Sequence, residues 1–327
     1  MQGDPGHFAE GLALAEEGLA VAERAGLTLG AERLSRGLAM AYVYDGRFEL
    51  ARRVVQWVMD EVTKRGEPVL SDLTMSTRWV YDSVHYLSDD LDAAFADATA
   101  TYDLARRAPN RTVTSGSANT LASLCFLRAD YAEARRWAEE SLVIAEAISN
   151  VSAFPGAATV ALAARVELGD VGDVDRYLEL MGQGLATGST VQMHVRFLAE
   201  ALRAVDDPAV VARFAEQLRV CPAGGRLREA SAQIVLGQLL TRLGRHEEAG
   251  RAVARALAIA EGIGARSLLG AAALGAAELA ALGGDRASAA RHLERVVAIA
   301  RELRLNHYLA RASRLLGESE AAISRRA

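Results

Sequence analysis

Six histidines could hold a metal or move a proton: His7, His85, His194, His246, His292 and His307. A helix-borne zinc site needs two of them about one turn apart, as in His-Glu-x-x-His. No two lie within four positions of each other, so no metal site is expected. Asp89, Asp90 and Asp92 have the acid density of a calcium loop but lack its central glycine and distal glutamate. At a helix start they are expected to serve the helix dipole instead. Gly182-Gln183-Gly184 lacks the third glycine and the preceding strand of a dinucleotide loop. A phosphate-cradling P-loop needs a lysine after its second glycine, and Lys64, the chain's one lysine, stands outside any such motif. There is no Gly-x-Ser-x-Gly elbow for a nucleophilic serine. No cofactor is expected, and the chain reads as a non-enzyme. The enzymatic alternative uses a helical-repeat cavity; its sign would be a deep pocket with an acid–base pair around His85 or His194.

What remains is chemistry of recognition, and a repeat of about forty residues would position it. Gly6-His7-Phe8, Gly46-Arg47-Phe48, Ala129-Asp130-Tyr131, Gly169-Asp170-Val171 and Gly284-Asp285-Arg286 fall on that spacing. Asp90-Leu91, Asp207 and Gly244-Arg245-His246 fill the gaps with small slips. Each marks a turn followed by an amphipathic helix. The stripe Ala249, Ala252, Val253, Ala256, Leu257 and Ala260 recurs as Ala289, His292, Leu293, Val296, Val297 and Ala300. Such stripes are core-facing helix faces. Repeats of this size stack helical hairpins into a solenoid, each burying its apolar face on the next. The spacing predicts first helices over 31–44, 71–87, 115–127, 156–168, 191–205, 227–243 and 268–282. Second helices are predicted to start near Phe8, Phe48, Leu91, Tyr131, Val171, Pro208, His246 and Arg286. One solenoid is expected over 1–327, with an N-terminal half-repeat at 6–26, a bend near 182–225 and a capping helix at 306–317.

Composition narrows the classes. Hydrophobic residues make up 51% of the 327-residue chain and aromatics only 6%, which favours closely packed helices over sheets. The net charge of -5, without a basic tract, excludes nucleic acid as the default partner. Of 37 basic residues only Lys64 is a lysine, the mark of a GC-rich bacterial coding bias. Cys125 and Cys221 are expected as reduced thiols in a cytoplasmic protein. No apolar run reaches about 18 residues, so no membrane span is expected. Met1-Gln2-Gly3-Asp4-Pro5 has no basic-then-apolar signal pattern.

Residues 236–257 read LGQLLTRLGRHEEAGRAVARAL, which closely resembles the tetratricopeptide repeat. Leu236-Gly237 match its Leu-Gly pair, Gly244 its turn, Ala249 its packing alanine and Ala256 its later alanine. Residues 121–142 keep Leu121, Asp130, Tyr131 and Ala134, with Ala122 where glycine is usual. The resemblance covers nearly the whole chain. It implies an all-α fold: a right-handed α-solenoid of about seven to eight tetratricopeptide-like hairpins. The period exceeds the standard repeat of about 34, which implies slightly longer helices. Long Ala- and Arg-rich repeats of this kind are similar to the C-terminal sensor region of bacterial LuxR- and MalT-type ATPase regulators and related signalling proteins.

In such a superhelix the first helices line an inner groove. The resemblance places there Arg33, Arg36, Ser76, Trp79, Ser83, Tyr86, Asn119, Ser123, Phe126, Thr159, Met193, Arg196, Glu200, Arg203 and Gln238. Trp79, Tyr86, Asn119 and Phe126 are expected to form an aromatic patch with hydrogen-bonding groups beside it. Arg33, Arg36, Arg196 and Arg203 are suited to carboxylates or phosphates. The lysines of the clamp that grips chaperone tails are missing. The function this implies is a non-catalytic module of a bacterial regulatory or signalling protein that binds a protein, a peptide or a small effector. A free-standing scaffold is the alternative. Direct contact with nucleic acid or membrane is not expected. The chain opens on a second helix, whose stripe Leu12, Ala15, Leu19 and Ala22 is expected to be exposed. Upstream sequence, a partner or a second copy in a homodimer is expected to cover it.

Overall fold

The computed structural model describes residues 5–26, 28–66, 71–108, 110–186, 195–220 and 224–324. Among them there is helix and no strand. Helix α1 spans Pro5–Arg24. Inner helices α2 (Thr28–Tyr44), α4 (Asp72–Leu87), α6 (Arg111–Leu127) and α8 (Phe154–Leu168) pair with outer helices α3 (Phe48–Lys64), α5 (Leu91–Arg107), α7 (Tyr131–Ala147) and α9 (Val174–Ala186). A short α10 (Leu198–Ala201), flanked by 3-10 turns, precedes α11 (Pro208–Val220). Then come α12 (Arg226–Arg242) with α13 (His246–Ile263), α14 (Arg266–Leu282) with α15 (Arg286–Glu302), and α16 (Asn306–Ser324). Neighbouring helices pack in sequence order, which makes this an all-α helical-repeat solenoid. No helix among the described residues is long and apolar enough to cross a membrane.

Small residues set the spacing within hairpins. A Cβ on Gly237 would sit 2.6 Å from Val253 Cγ2, so glycine is what lets α12 close on α13. Ser115 and Ser141 exchange hydrogen bonds with each other's carbonyls at 3.1 and 2.9 Å, joining α6 to α7 at similarly close range. The stripe Ala249, Ala252, Val253, Ala256 and Ala260 is buried, as are Ala289, Leu293, Val296 and Ala300. Turns take the left-handed conformation at Gly46, Gly169, Gly244 and Gly284, but at Asp89 and Ala129 in hairpins that lack the glycine.

The solenoid coils back on itself after five hairpins. Inner helices α2, α4 and α6 each present their C-terminal ends to the inner helix five hairpins on. Arg226 Nε, opening α12, donates to the Asp45 carbonyl at 3.0 Å, and a Cβ on Gly225 would lie 2.4 Å from the Tyr44 carbonyl oxygen. The Ser267 amide at the start of α14 donates to Asp89 Oδ2 at 3.0 Å. Asn306 Nδ2, opening α16, donates to the Arg128 carbonyl at 3.1 Å. Both faces of α6 are consequently buried: from Ser117 to Leu127 every residue is.

Three sequence expectations change. The described part of the helix expected over 191–205 is a 3-10, α, 3-10 run; the Arg242 guanidinium binds the Leu202 and Val205 carbonyls and holds it in that form. The α1 stripe is not exposed. Leu12 and Ala22 are buried and Ala15 and Leu19 half-buried, because α1 packs on α2; the large apolar residues Leu14 and Val21 face outward. Asp90 makes no side-chain cap for its own helix α5, whereas Asp89 binds the start of α14.

Candidate binding surface on the inner helices

At one end the inner wall is open. A shallow groove of about 800 Å³ is lined by Asp72, Ser76 and Trp79 of α4, residues 110–113 at the start of α6, and Ile148 and Asn150 before α8. Trp79 forms its floor. A Cβ on Gly116 would lie 2.6 Å from the indole Nε1 and Cε2, so the bare Gly116 backbone lets the ring lie flat on α6. The indole Nε1 is buried without a hydrogen-bond partner. Arg36 reaches the edge from α2 and donates to Ser76 Oγ, while its own Nε is buried and unpaired. Burial, with Arg33 alongside, lowers the Arg36 pKa, and Glu32 opposes them. The helix starts here are already capped: Ser71 Oγ accepts from the Thr74 amide at 3.2 Å and Asn110 Oδ1 from the Val113 amide at 3.1 Å. Asn110 Nδ2 also donates to Asp72 Oδ1 at 3.0 Å.

Deeper in, the wall closes. Asp82 is fully buried; Ser117 Oγ donates to it at 3.3 Å, and Ser83 Oγ, whose proton also faces the Trp79 carbonyl, lies 3.2 Å from its other oxygen. Burial pushes its pKa well above the usual carboxylate range, against the pull of those two hydroxyls. Beyond it a waist of buried charge crosses the coil. Arg196 Nε donates to Tyr86 OH at 3.0 Å, and its Nη1 to Ser267 Oγ at 3.3 Å. Arg311 binds both Glu200 and Glu278. His307 Nε2 lies 3.6 Å from Glu200 Oε1, and its Nδ1 lies 3.0 Å from Tyr131 OH. Burial alone would raise Glu200, but Arg311 and His307 hold it down at about 2. Phe126 packs against Phe197 and His307, with ring centroids 4.9 and 4.6 Å away.

The expected groove residues therefore separate. Arg36, Ser76 and Trp79 come together at the open end, with Arg33 exposed near Arg36. Tyr86, Phe126, Arg196 and Glu200 come together too, but inside the sealed waist. The patch expected from Trp79, Tyr86, Asn119 and Phe126 is thus not one open surface: Tyr86 and Phe126 are fully buried because the next turn of the coil covers them. Ser83, Asn119, Ser123 and Thr159 are buried as well; Ser83, Ser123 and Thr159 donate to carbonyls one turn back in their own helices. Arg203 is exposed and paired with Glu167. Gln238 is half-buried on α12. Met193 lies outside the described residues, as do His194 and Cys221. His85 Nδ1 does lie 2.9 Å from Asp97 Oδ2, but it faces α5 rather than the inner wall. Among the described residues no group of His, Cys, Asp or Glu could hold a metal ion. Cys125 is buried, and burial with Asp130 nearby pushes its thiol up to about 12. Sequence reasoning missed Gly116, Asn110 and Asn150 at the open end and His307 and Arg311 at the waist. Only Gly116, an isolated glycine inside a helical run, carried a signal.

The inner-helix wall and the five-hairpin coil define a tetratricopeptide-like solenoid. Its fold is similar to that of a Rap protein solved in complex with Competence and Sporulation Factor, with a TM-score of 0.56 at 14% identity, covering 90% of this chain and 87% of that one. NprR, solved in complex with its cognate peptide NprX, gives a TM-score of 0.48 at 11% identity, covering 86% and 82%. The chain matches no protein-family model. It matches no curated protein either.

Proposed function

We propose that this chain is a non-catalytic, peptide-binding module of a regulatory protein, and that the peptide lies over Trp79 at the open end of the inner wall. The observation that carries this reading is the contrast along the wall. One stretch is an open groove floored by a tryptophan, and deeper in Tyr86 and Phe126 are covered by the chain's own next turn. A rigid aromatic floor with polar groups at its margin is how a short segment is gripped at low entropic cost. The likeness of fold to a Rap protein complexed with Competence and Sporulation Factor supports the same reading. A ligand touching α4, the start of α6 and the loop before α8 would fix the angles between three consecutive repeats. Those angles set how the coil closes, so binding would bias the position of α12 to α16. This is the behaviour of a sensor arm, the role implied by the resemblance to bacterial ATPase regulators.

Selection of a random heptapeptide display library on the immobilised chain tests it. The reading expects enriched sequences whose capture falls at least about tenfold with Trp79→Ala, as for loss of an aromatic anchor. Enrichment that Trp79→Ala leaves unchanged, or no enrichment over bare matrix, contradicts it.

A further inference from the structure

Charge pairing at the open end is sparse. Several arginines elsewhere on the wall are matched with carboxylates: Arg203 with Glu167, Arg266 with Glu302, Arg311 with Glu200 and Glu278, and Arg165 with Glu139; Arg196 and Arg242 are engaged by hydroxyls and carbonyls instead. Around the Trp79 groove, Arg33, Arg36 and Arg111 have no carboxylate within ion-pair distance among the described residues. Glu32, the acid closest in sequence to Arg33 and Arg36, is occupied by Arg65. Asp72, the one acid lining the groove, accepts from Asn110. Trp79 Nε1 and Arg36 Nε are N–H groups that can only donate, and both are buried without an acceptor among the described residues. Buried donors left unpaired cost free energy that an incoming acceptor recovers.

From Trp79 and Arg111 lining one groove, with Arg36 held at its edge on Ser76, we infer that the Trp79 groove takes the anionic end of its ligand, a carboxylate or phosphate held between Arg36 and Arg111. This rests on the peptide-binding reading and adds its chemistry. Arg36 is anchored through Ser76, so its guanidinium is oriented before the ligand arrives. Arg111 is exposed and lines the opposite side at the start of α6. An anion fits both, whereas a cationic ligand end would meet two positive charges against the single lining carboxylate of Asp72, which already accepts from Asn110.

Three pools of N-acetylated hexapeptides test this, identical in five randomised positions. One ends in a free carboxylate, one in a C-terminal amide, and one in phosphoserine amide. Each is presented to the wild type, to Arg36→Gln and to Arg111→Gln. Arg111 is exposed, so its replacement leaves the fold intact, and matched melting curves check the same for Arg36→Gln. The inference expects one or both acidic pools to be captured over the amide pool. Each arginine replacement should weaken that capture roughly 10- to 100-fold, the range for one hydrogen bond to a charged group. Which acidic pool leads identifies the anion as carboxylate or phosphate. Equal capture of the amide pool, or capture indifferent to both replacements, overturns the anionic end and leaves the peptide-binding module standing. Capture of no pool by the wild type overturns both.

Discussion

Asp82 is a carboxyl set among hydroxyls and apolar packing, with no cation paired to it among the described residues. Burial raises its pKa above the unfolded value. A raised carboxyl is neutral, and costs nothing extra, at pH below its unfolded value of about 3.9. As pH rises towards and through the raised folded value, ionisation favours the unfolded chain and stability is lost. Asp82→Asn keeps a neutral acceptor in the same shape. It is expected to unfold at a higher temperature than the wild type at pH 8 and to lose part of the decline between pH 5 and pH 8. Unchanged curves at both pH values would mean that Asp82 is ionised and solvated. Nothing in the sequence marked this residue: an aspartate in a helix reads as surface until the next inner helix is known to lie over it. Trp79 was legible as a candidate for the groove through the family resemblance. Its flat seat on Gly116 was not, because that depends on the distance between α4 and α6.

The helices themselves were the most legible level. Inner helices predicted to end at residues 44, 87, 127, 168 and 282 end at Tyr44, Leu87, Leu127, Leu168 and Leu282. Their ends are set by local turn chemistry and by apolar stripes, both of which a sequence carries directly. The Leu236-Gly237 pair has a concrete reason in the contact between Gly237 and Val253. Gly237→Ala is expected to cost about 1–3 kcal/mol in urea denaturation, as overpacking does. Val253→Ala in the same chain should recover much of it, and strictly additive losses would show that the contact is not the cause. The helix missed was the described part of 191–205. Its form depends on Arg242 binding the Leu202 and Val205 carbonyls from about 40 residues away, a partnership that local periodicity does not encode.

At the scale of the whole molecule, the repeat predicted a solenoid but not that it closes. Closure comes from contacts five hairpins apart, which set a sealed waist beside the open Trp79 groove. The waist is buried charge, and removing one partner of a buried pair typically costs about 3–5 kcal/mol. Arg311→Met strands Glu200 and Glu278 and is expected to lower stability by that amount in urea. Replacing all three by Arg311→Met, Glu200→Gln and Glu278→Gln should recover most of the loss. A loss below about 1 kcal/mol for Arg311→Met would mean that the waist is hydrated and the coil open.

The central claim is that a peptide sits on Trp79, and the chain's own fluorescence tests it. Trp57, Trp79 and Trp137 are its three tryptophans. With Trp57→Phe and Trp137→Phe, emission reports Trp79 alone, and a peptide enriched on the wild type can be titrated in. A saturable spectral shift, with the affinity measured independently by capture, is the result predicted. Capture at full affinity with an unmoved Trp79 spectrum would place the ligand elsewhere and contradict the account.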